Sequence, residues 1–120
     1  MNWNMLLWFG AILLVFLVLK RIGLISLQKA RTHLKSGATL VDVRSTAEFK
    51  SRRLPGAVNV PLNDLHTSAG RHLRDKNKVL LLHCQSGSRS AMACRALKQM
   101  GYTNVFNLGS LGRAQRVVNQ

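Results

Sequence analysis

In a chain of 120 residues an apolar N-terminal segment leaves only about 95 to fold, enough for one small domain and no more. Eighteen Lys and Arg face four acids, Asp42, Glu48, Asp64 and Asp75, for a net charge of +14; the excess calls for an anion nearby, whether nucleic acid, an acidic membrane surface or a small anionic substrate. The cations are scattered from Lys20 to Arg116 with no aromatics interleaved, which argues against a base-stacking nucleic-acid platform.

Residues 1–19 carry no charged side chain, and Met5 to Leu19 is an almost unbroken apolar run that stops at Lys20-Arg21. Fifteen residues fall short of the ~20 that span a bilayer, but Trp3 and the stretch Ile22 to Ile25 extend them, with Lys20 and Arg21 snorkelling to the surface. Trp3 and Trp8 suit a headgroup-level anchor. A cleaved signal peptide would place its positive charge before the run rather than after it, and a buried soluble helix with no polar face would need a larger protein around it. One transmembrane helix over residues 1–25 is therefore expected. Lys20, Arg21, Lys29, Arg31 and Lys35 all follow it, so the N-terminus is expected outside and the domain, residues 26–120, in the cytoplasm, at a bacterial inner membrane.

Ser26 caps a short amphipathic helix through Leu27, Ala30 and Leu34 that stops at Gly37. Thr39 to Val43 reads as a strand with one acid, Asp42, near its end. Ser45-Thr46-Ala47-Glu48 fits a capping box, which opens a helix carrying Phe49 and ending at Leu54-Pro55-Gly56. Ala57 to Val60 suits a short strand, and Pro61 to His66 a helical turn. Lys78 to His83 is a buried strand bounded by charges. After Cys84 to Ser88 comes a helix to about Met100, closed by Gly101, then a strand from Thr103 to Leu108 and a polar tail. Strands alternating with helices define an α/β domain with a small central parallel sheet flanked by helices.

Chemistry concentrates where the second long strand meets the second long helix. At a strand end over a helix N-terminus, backbone N–H groups and the helix dipole converge on an anion, and a cysteine thiolate at position 84 is one. Gly87 allows the backbone to turn its N–H toward the sulfur. Ser86, Ser88 and Ser90 offer hydroxyl donors, and Arg89 adds a positive charge expected to bring the thiol below the ~8.5 of free cysteine. The alternative is a small buried hydrophobe at the end of a strand.

The run Cys84-Gln85-Ser86-Gly87-Ser88-Arg89, preceded by Val41-Asp42-Val43-Arg44, by Glu48-Phe49 and by Leu54-Pro55-Gly56-Ala57-Val58-Asn59-Val60-Pro61, resembles the rhodanese-like domain. The likeness runs from about Leu27 to Leu111, with Gly101-Tyr102 and Asn107-Leu108-Gly109 extending it. It departs at Gly109-Ser110-Leu111-Gly112-Arg113, where paired glycines and a tryptophan-bearing helix are usual. The resemblance implies a single-domain sulfurtransferase: catalytic Cys84 takes a sulfane sulfur from a donor as a persulfide and passes it to a thiol, cyanide or protein acceptor. Gln85, Ser86, Gly87, Ser88, Arg89 and Ser90 form its active-site loop, with neither metal nor cofactor. Asp42 and Arg44 are then structural supports of that loop or an ordinary surface ion pair.

A phosphatase or arsenate reductase would use a Cys-x-x-x-x-x-Arg loop, one residue longer than Cys84 to Arg89. An adaptor that holds a membrane-protein partner is the non-catalytic alternative.

The two cysteines, ten residues apart, match neither a disulfide framework nor a zinc pattern, so a reducing compartment is expected. Cys94, near Ala91, Ala93 and Leu97, suits either a core position or a resolving cysteine. His83 precedes Cys84 on a strand and so points to the opposite face, unable to act as its base. His33, His66 and His72 have no metal spacing. Lys50 to Arg53 is either a solvated face or a contact with anionic headgroups.

Overall fold

Alternation along three short strands decides the layers. The computed structural model describes residues 2–119, with only the backbone described at residues 20–22. Strands β1 (Thr39–Asp42), β2 (Val58–Asn59), β3 (Leu80–His83) and β4 (Val105–Gly109) form one parallel sheet in the order β2-β1-β3-β4. Parallel neighbours require crossovers, and helices supply them: α3 (Thr46–Ser51) after β1, α4 (Leu65–His72) after β2 and α5 (Ser88–Gln99) after β3. Helix α2 (Leu27–Lys35) precedes the sheet and α6 (Leu111–Val118) follows it.

On one face Val41, Val43, Leu80 and Leu82 pack with Leu65 and Ala69 of α4 and Ala93 and Leu97 of α5. On the other, Leu40, Leu81 and Leu108 meet Ala30 of α2 and Leu111, Ala114 and Val117 of α6. Both faces are covered, which is why β3 is buried along its whole length and reads as a continuous apolar run. The α/β reading with a central parallel sheet flanked by helices is what the chain forms.

Local signals behave as their chemistry requires. The Ser26 hydroxyl accepts from Lys29 N–H at the start of α2, and Ser45 and Glu48 complete a reciprocal capping box at α3. Gly101, at φ +97°, turns the chain after α5. Tyr102 then sends its hydroxyl to the Leu73 carbonyl at 2.6 Å, locking the end of α4 to the turn. Two expectations need correction. The turn from Pro61 is a 3-10 turn, Leu62–Asp64, that continues into α4 as far as His72. The residues after Leu108 are no polar tail but α6, capped by the Ser110 hydroxyl and buried on one side.

Helix α1 (Trp3–Ile22) stands apart. None of its described side chains belongs to either core cluster, and each large apolar residue from Trp3 to Leu19 is at least 48% exposed. Among the described residues no helix is long and apolar enough to cross a membrane, so the expected transmembrane span is not met by what is described. The expected extension from Ile22 to Ile25 does not form: α1 stops at Ile22, Leu24 pairs with Asn107 of β4, and Ile25 is buried in the domain core; the side chains of Lys20 and Arg21, and so their snorkelling, lie outside the described residues.

Candidate active site

Cys84 follows the last residue of β3, its N–H donating to the Gly109 carbonyl of the neighbouring strand at 3.1 Å. The chain then turns through Gly87, at φ +101°, into α5. A side chain would be strained at that φ, and a Cβ at Gly87 would stand 3.4 Å from the Gly109 Cα. The turn aims the Gly87 N–H at the Cys84 sulfur, 2.9 Å from Sγ. Ser90, one turn into α5, brings its hydroxyl to 3.6 Å from the same sulfur.

Burial pushes the Cys84 thiol up, yet hydrogen bonds from the Ser90 N–H and hydroxyl and from the Gly87 and Ser86 N–H groups outweigh it. The thiol ends below its ordinary value. The sulfur is therefore disposed to ionise although the residue is fully buried, and a donor must reach it past the exposed side chains of Gln85, Ser86 and Ser88.

Arg89 does something other than the sequence suggested. Its guanidinium forms a two-pronged pair with Glu48, at 2.7 and 3.0 Å, linking the start of α5 to α3. The bond to Arg89, with those from Ser45, holds the Glu48 carboxyl down at about 2. The lowering of the thiol rests on hydrogen bonds, while Arg89, held first by Glu48, also has its own pKa raised by the Cys84 charge. Of the three loop serines Ser90 brings its hydroxyl to the sulfur and Ser86 only its N–H; the Ser86 and Ser88 hydroxyls lie 3.4 Å from each other on the exposed rim.

Asp42 and Arg44 are buried, which removes the surface ion-pair alternative. Arg44 grips both Asp42 oxygens, at 2.8 to 3.1 Å, and its ordinary pKa is raised, first by that hydrogen bond. The guanidinium also donates to the Arg52 carbonyl at 2.5 Å and to the Gln85 side chain at 3.4 Å, tying β1, the end of α3 and the loop together.

On the opposite face of β3, His83 places Nδ1 3.1 Å from the Cys84 carbonyl and Nε2 3.8 Å from Asp42. Burial pushes His83 below its ordinary value, so the ring is neutral and faces away from the thiol it was expected not to serve. Cys94 lies in the core cluster, its thiol pushed up to about 12 by burial. A thiol so reluctant to ionise is unsuited to resolving a disulfide, which leaves the core reading.

Two contributors escaped the sequence. Asn107 on β4 sets Oδ1 2.7 Å from the Ser90 hydroxyl, competing with the sulfur for its single proton, and accepts there from Gly109 N–H at 3.0 Å, while its Nδ2 donates to the Gly87 carbonyl at 3.3 Å. It pins the loop from beneath. Asn59 donates to the Asp42 and Arg44 carbonyls, both at 3.0 Å, and fixes the end of β1. Helix α6 also reaches the loop, Leu111 N–H donating to the Gln85 carbonyl at 3.2 Å.

A thiol at a parallel-strand end, wrapped by amides at a helix N-terminus, defines an α/β protein with a cysteine nucleophile loop. The family description Rhodanese-like domain matches residues 26–111. The chain is 34% identical to Thiosulfate sulfurtransferase PspE of Escherichia coli over 71 residues, covering 59% of this chain and 68% of that one. It is 32% identical to the human Thiosulfate:glutathione sulfurtransferase over 96 residues, covering 69% and 84%. The solved human single-domain sulfurtransferase TSTD1 superposes with a TM-score of 0.67 at 30% identity, covering 78% of this chain and 96% of that one. Against the first four curated relatives the chain spans 45% to 68% of their length.

The chain belongs to the rhodanese-like domain family. Its sulfurtransferase relatives make it an enzyme of that class.

Proposed function

We propose that Cys84 carries sulfur as a persulfide between a sulfane-sulfur donor such as thiosulfate and a thiol, cyanide or protein acceptor, and that α1 holds this chemistry at a membrane. The Gly87 N–H 2.9 Å from Sγ carries the chemical reading, since it stabilises negative charge at the sulfur and leaves the thiolate free to attack. The thiolate forms a new S–S bond to the donor's outer sulfur. The donor's own bond to that sulfur breaks, and its electron pair leaves with the remainder, sulfite in the case of thiosulfate. The persulfide anion then occupies the amide-lined turn until an acceptor thiolate or cyanide attacks its terminal sulfur and returns the Cys84 thiolate.

The Asp42–Arg44 pair and Asn107 position the loop, and none of them exchanges a proton with substrate in this scheme. Steady-state turnover with thiosulfate and cyanide tests it: Cys84→Ala is expected to abolish turnover, and retained turnover would sink the reading.

The membrane reading is supported by the exposed apolar length of α1, a surface that water disfavours, and by Lys29, Arg31 and Lys35 following it. These cations favour an outside N-terminus and a cytoplasmic domain. The full chain is expected to stay in the membrane pellet after an alkaline carbonate wash, and release into the wash would contradict insertion. A reporter fused after Gln120 that is active only outside the cytoplasm would overturn the orientation.

A further inference from the structure

Between α2 and α5, over the edge of β4 where Ile25 N–H donates to the Asn107 carbonyl at 3.0 Å, lies a groove of about 1000 Å³. Lys29 and His33 come from α2, and Arg95 and Lys98 from α5, each pair one helical turn apart, so each helix presents its basic pair to the same hollow. No carboxylate lines it. The salt bridges among the described residues engage only Asp42 and Glu48 on the acidic side, and neither pairs with these cations. His33 is stacked on Phe106, 5.3 Å between ring centres, which fixes the imidazole at the wall. Gathering three permanent cations in one concavity without a counter-charge is self-repelling, and an anion in the groove relieves it.

The groove does not end at the domain. Gly23, Leu24, Ala91 and Asn107 also line a second hollow of about 730 Å³, with Leu14, Leu17, Val18 and Leu19 of α1 on one side and the Ser86 to Ser88 turn of the Cys84 loop, Ser110 and Arg113 on the other. A cationic basin thus adjoins a second hollow whose α1 side is apolar. Its complement is an amphiphile with an anionic head and an apolar tail. We infer that the groove lined by Lys29, His33, Arg95 and Lys98 seats the phosphate headgroup of an anionic membrane lipid, whose acyl chains lie along α1. This rests on the membrane reading above and adds lipid selectivity to it. The Lys50 to Arg53 stretch, the earlier candidate for headgroup contact, is partly committed elsewhere: Arg52 bonds Gln115 at 2.8 Å and Arg53 lies over the Phe49 ring.

Flotation of the full chain with vesicles tests the site, comparing phosphatidylcholine alone with phosphatidylcholine containing phosphatidylglycerol. The wild type is expected to bind the anionic vesicles more tightly. Lys29→Gln/Arg95→Gln/Lys98→Gln should lose at least about tenfold in affinity for the anionic vesicles and keep its binding to the neutral ones. The charge-matched Lys50→Gln/Arg71→Gln/Lys78→Gln should stay within about twofold of the wild type, because its cations lie outside the groove. An equal fall in both variants would overturn the inference in favour of diffuse charge. Displacement by inorganic phosphate at matched phosphorus concentration would overturn it in favour of a free anion. Wild type that binds both vesicles alike defeats the groove alone; wild type that binds neither defeats the membrane reading. Thiosulfate turnover, expected unchanged in both variants, checks folding. Should the triple variant lose it, Lys98→Gln alone decides the point by a smaller loss, about threefold.

Discussion

Two arginine–carboxylate pairs flank the Cys84 loop, and they differ in almost everything except composition. Asp42–Arg44 is buried, reaches the loop through Gln85 and collects a carbonyl from Arg52. Glu48–Arg89 is about one-third exposed at both ends and joins two helix starts across the surface. A buried pair owes its importance to what is left behind when one member goes, because the survivor is a charge without water. An exposed pair is screened and adds little to stability. The first therefore sets the base of the loop, while the second orders its outer edge and divides the arginine's charge between Glu48 and the sulfur.

The sharpest way to break this contrast is Arg44→Ala. Leaving Asp42 buried and unpaired is expected to cost about 3–5 kcal/mol in chemical denaturation. A loss under about 1 kcal/mol would place the pair with ordinary surface bridges. Gly87→Ala comes next: the left-handed φ costs about 1–2 kcal/mol and moves the amide off the sulfur. Its Cys84 should alkylate with a higher pH midpoint than the wild type.

Ser90→Ala removes one donor to the sulfur and leaves the fold in place. Because the thiolate is the reacting form and its bonds lower the thiol pKa, losing one raises the midpoint. Sulfur loading near neutral pH should then fall by about tenfold and recover as pH rises. A rate that stays down at high pH would mean the hydroxyl does something other than assist ionisation.

Glu48→Gln is the smallest, about 0–1 kcal/mol, and salt should shrink it further. The folded carboxyl titrates at about 2, below its ordinary 4.5. Whatever the pair adds is thus present above pH 4.5 and lost as pH falls toward 2, so the difference between variant and wild type should vanish in acid.

Much of this was legible where one local pattern controls the outcome. The Ser45 capping box, the glycine stop after α5 and the apolar run of β3 each specify their element within a few residues. Cys84, Gly87 and the start of α5 were readable for the same reason. Helix α6 was missed because its buried residues, Leu111, Ala114 and Val117, are diluted by Gly112 and two arginines, and only α2 and β4 packed against it reveal the apolar side. Asn107 reads as an ordinary strand residue until the fold brings it under Ser90. The partner of Arg89 lies 41 residues away, so its pairing with Glu48 is invisible within the loop's own sequence. For α1 the apolar run was plain and the helix forms, but the expected lengthening beyond Ile22 fails because Leu24 and Ile25 are drawn into the domain against β4.

The central claim is that the amide-wrapped sulfur of Cys84 accepts and holds a sulfane sulfur. Intact mass measured after exposure to thiosulfate and removal of excess donor tests it most directly. The full chain should gain the mass of one sulfur atom, the gain should disappear on adding cyanide or a thiol, and Cys84→Ala should show none. An unchanged wild-type mass, or sulfur still carried by Cys84→Ala, would contradict it.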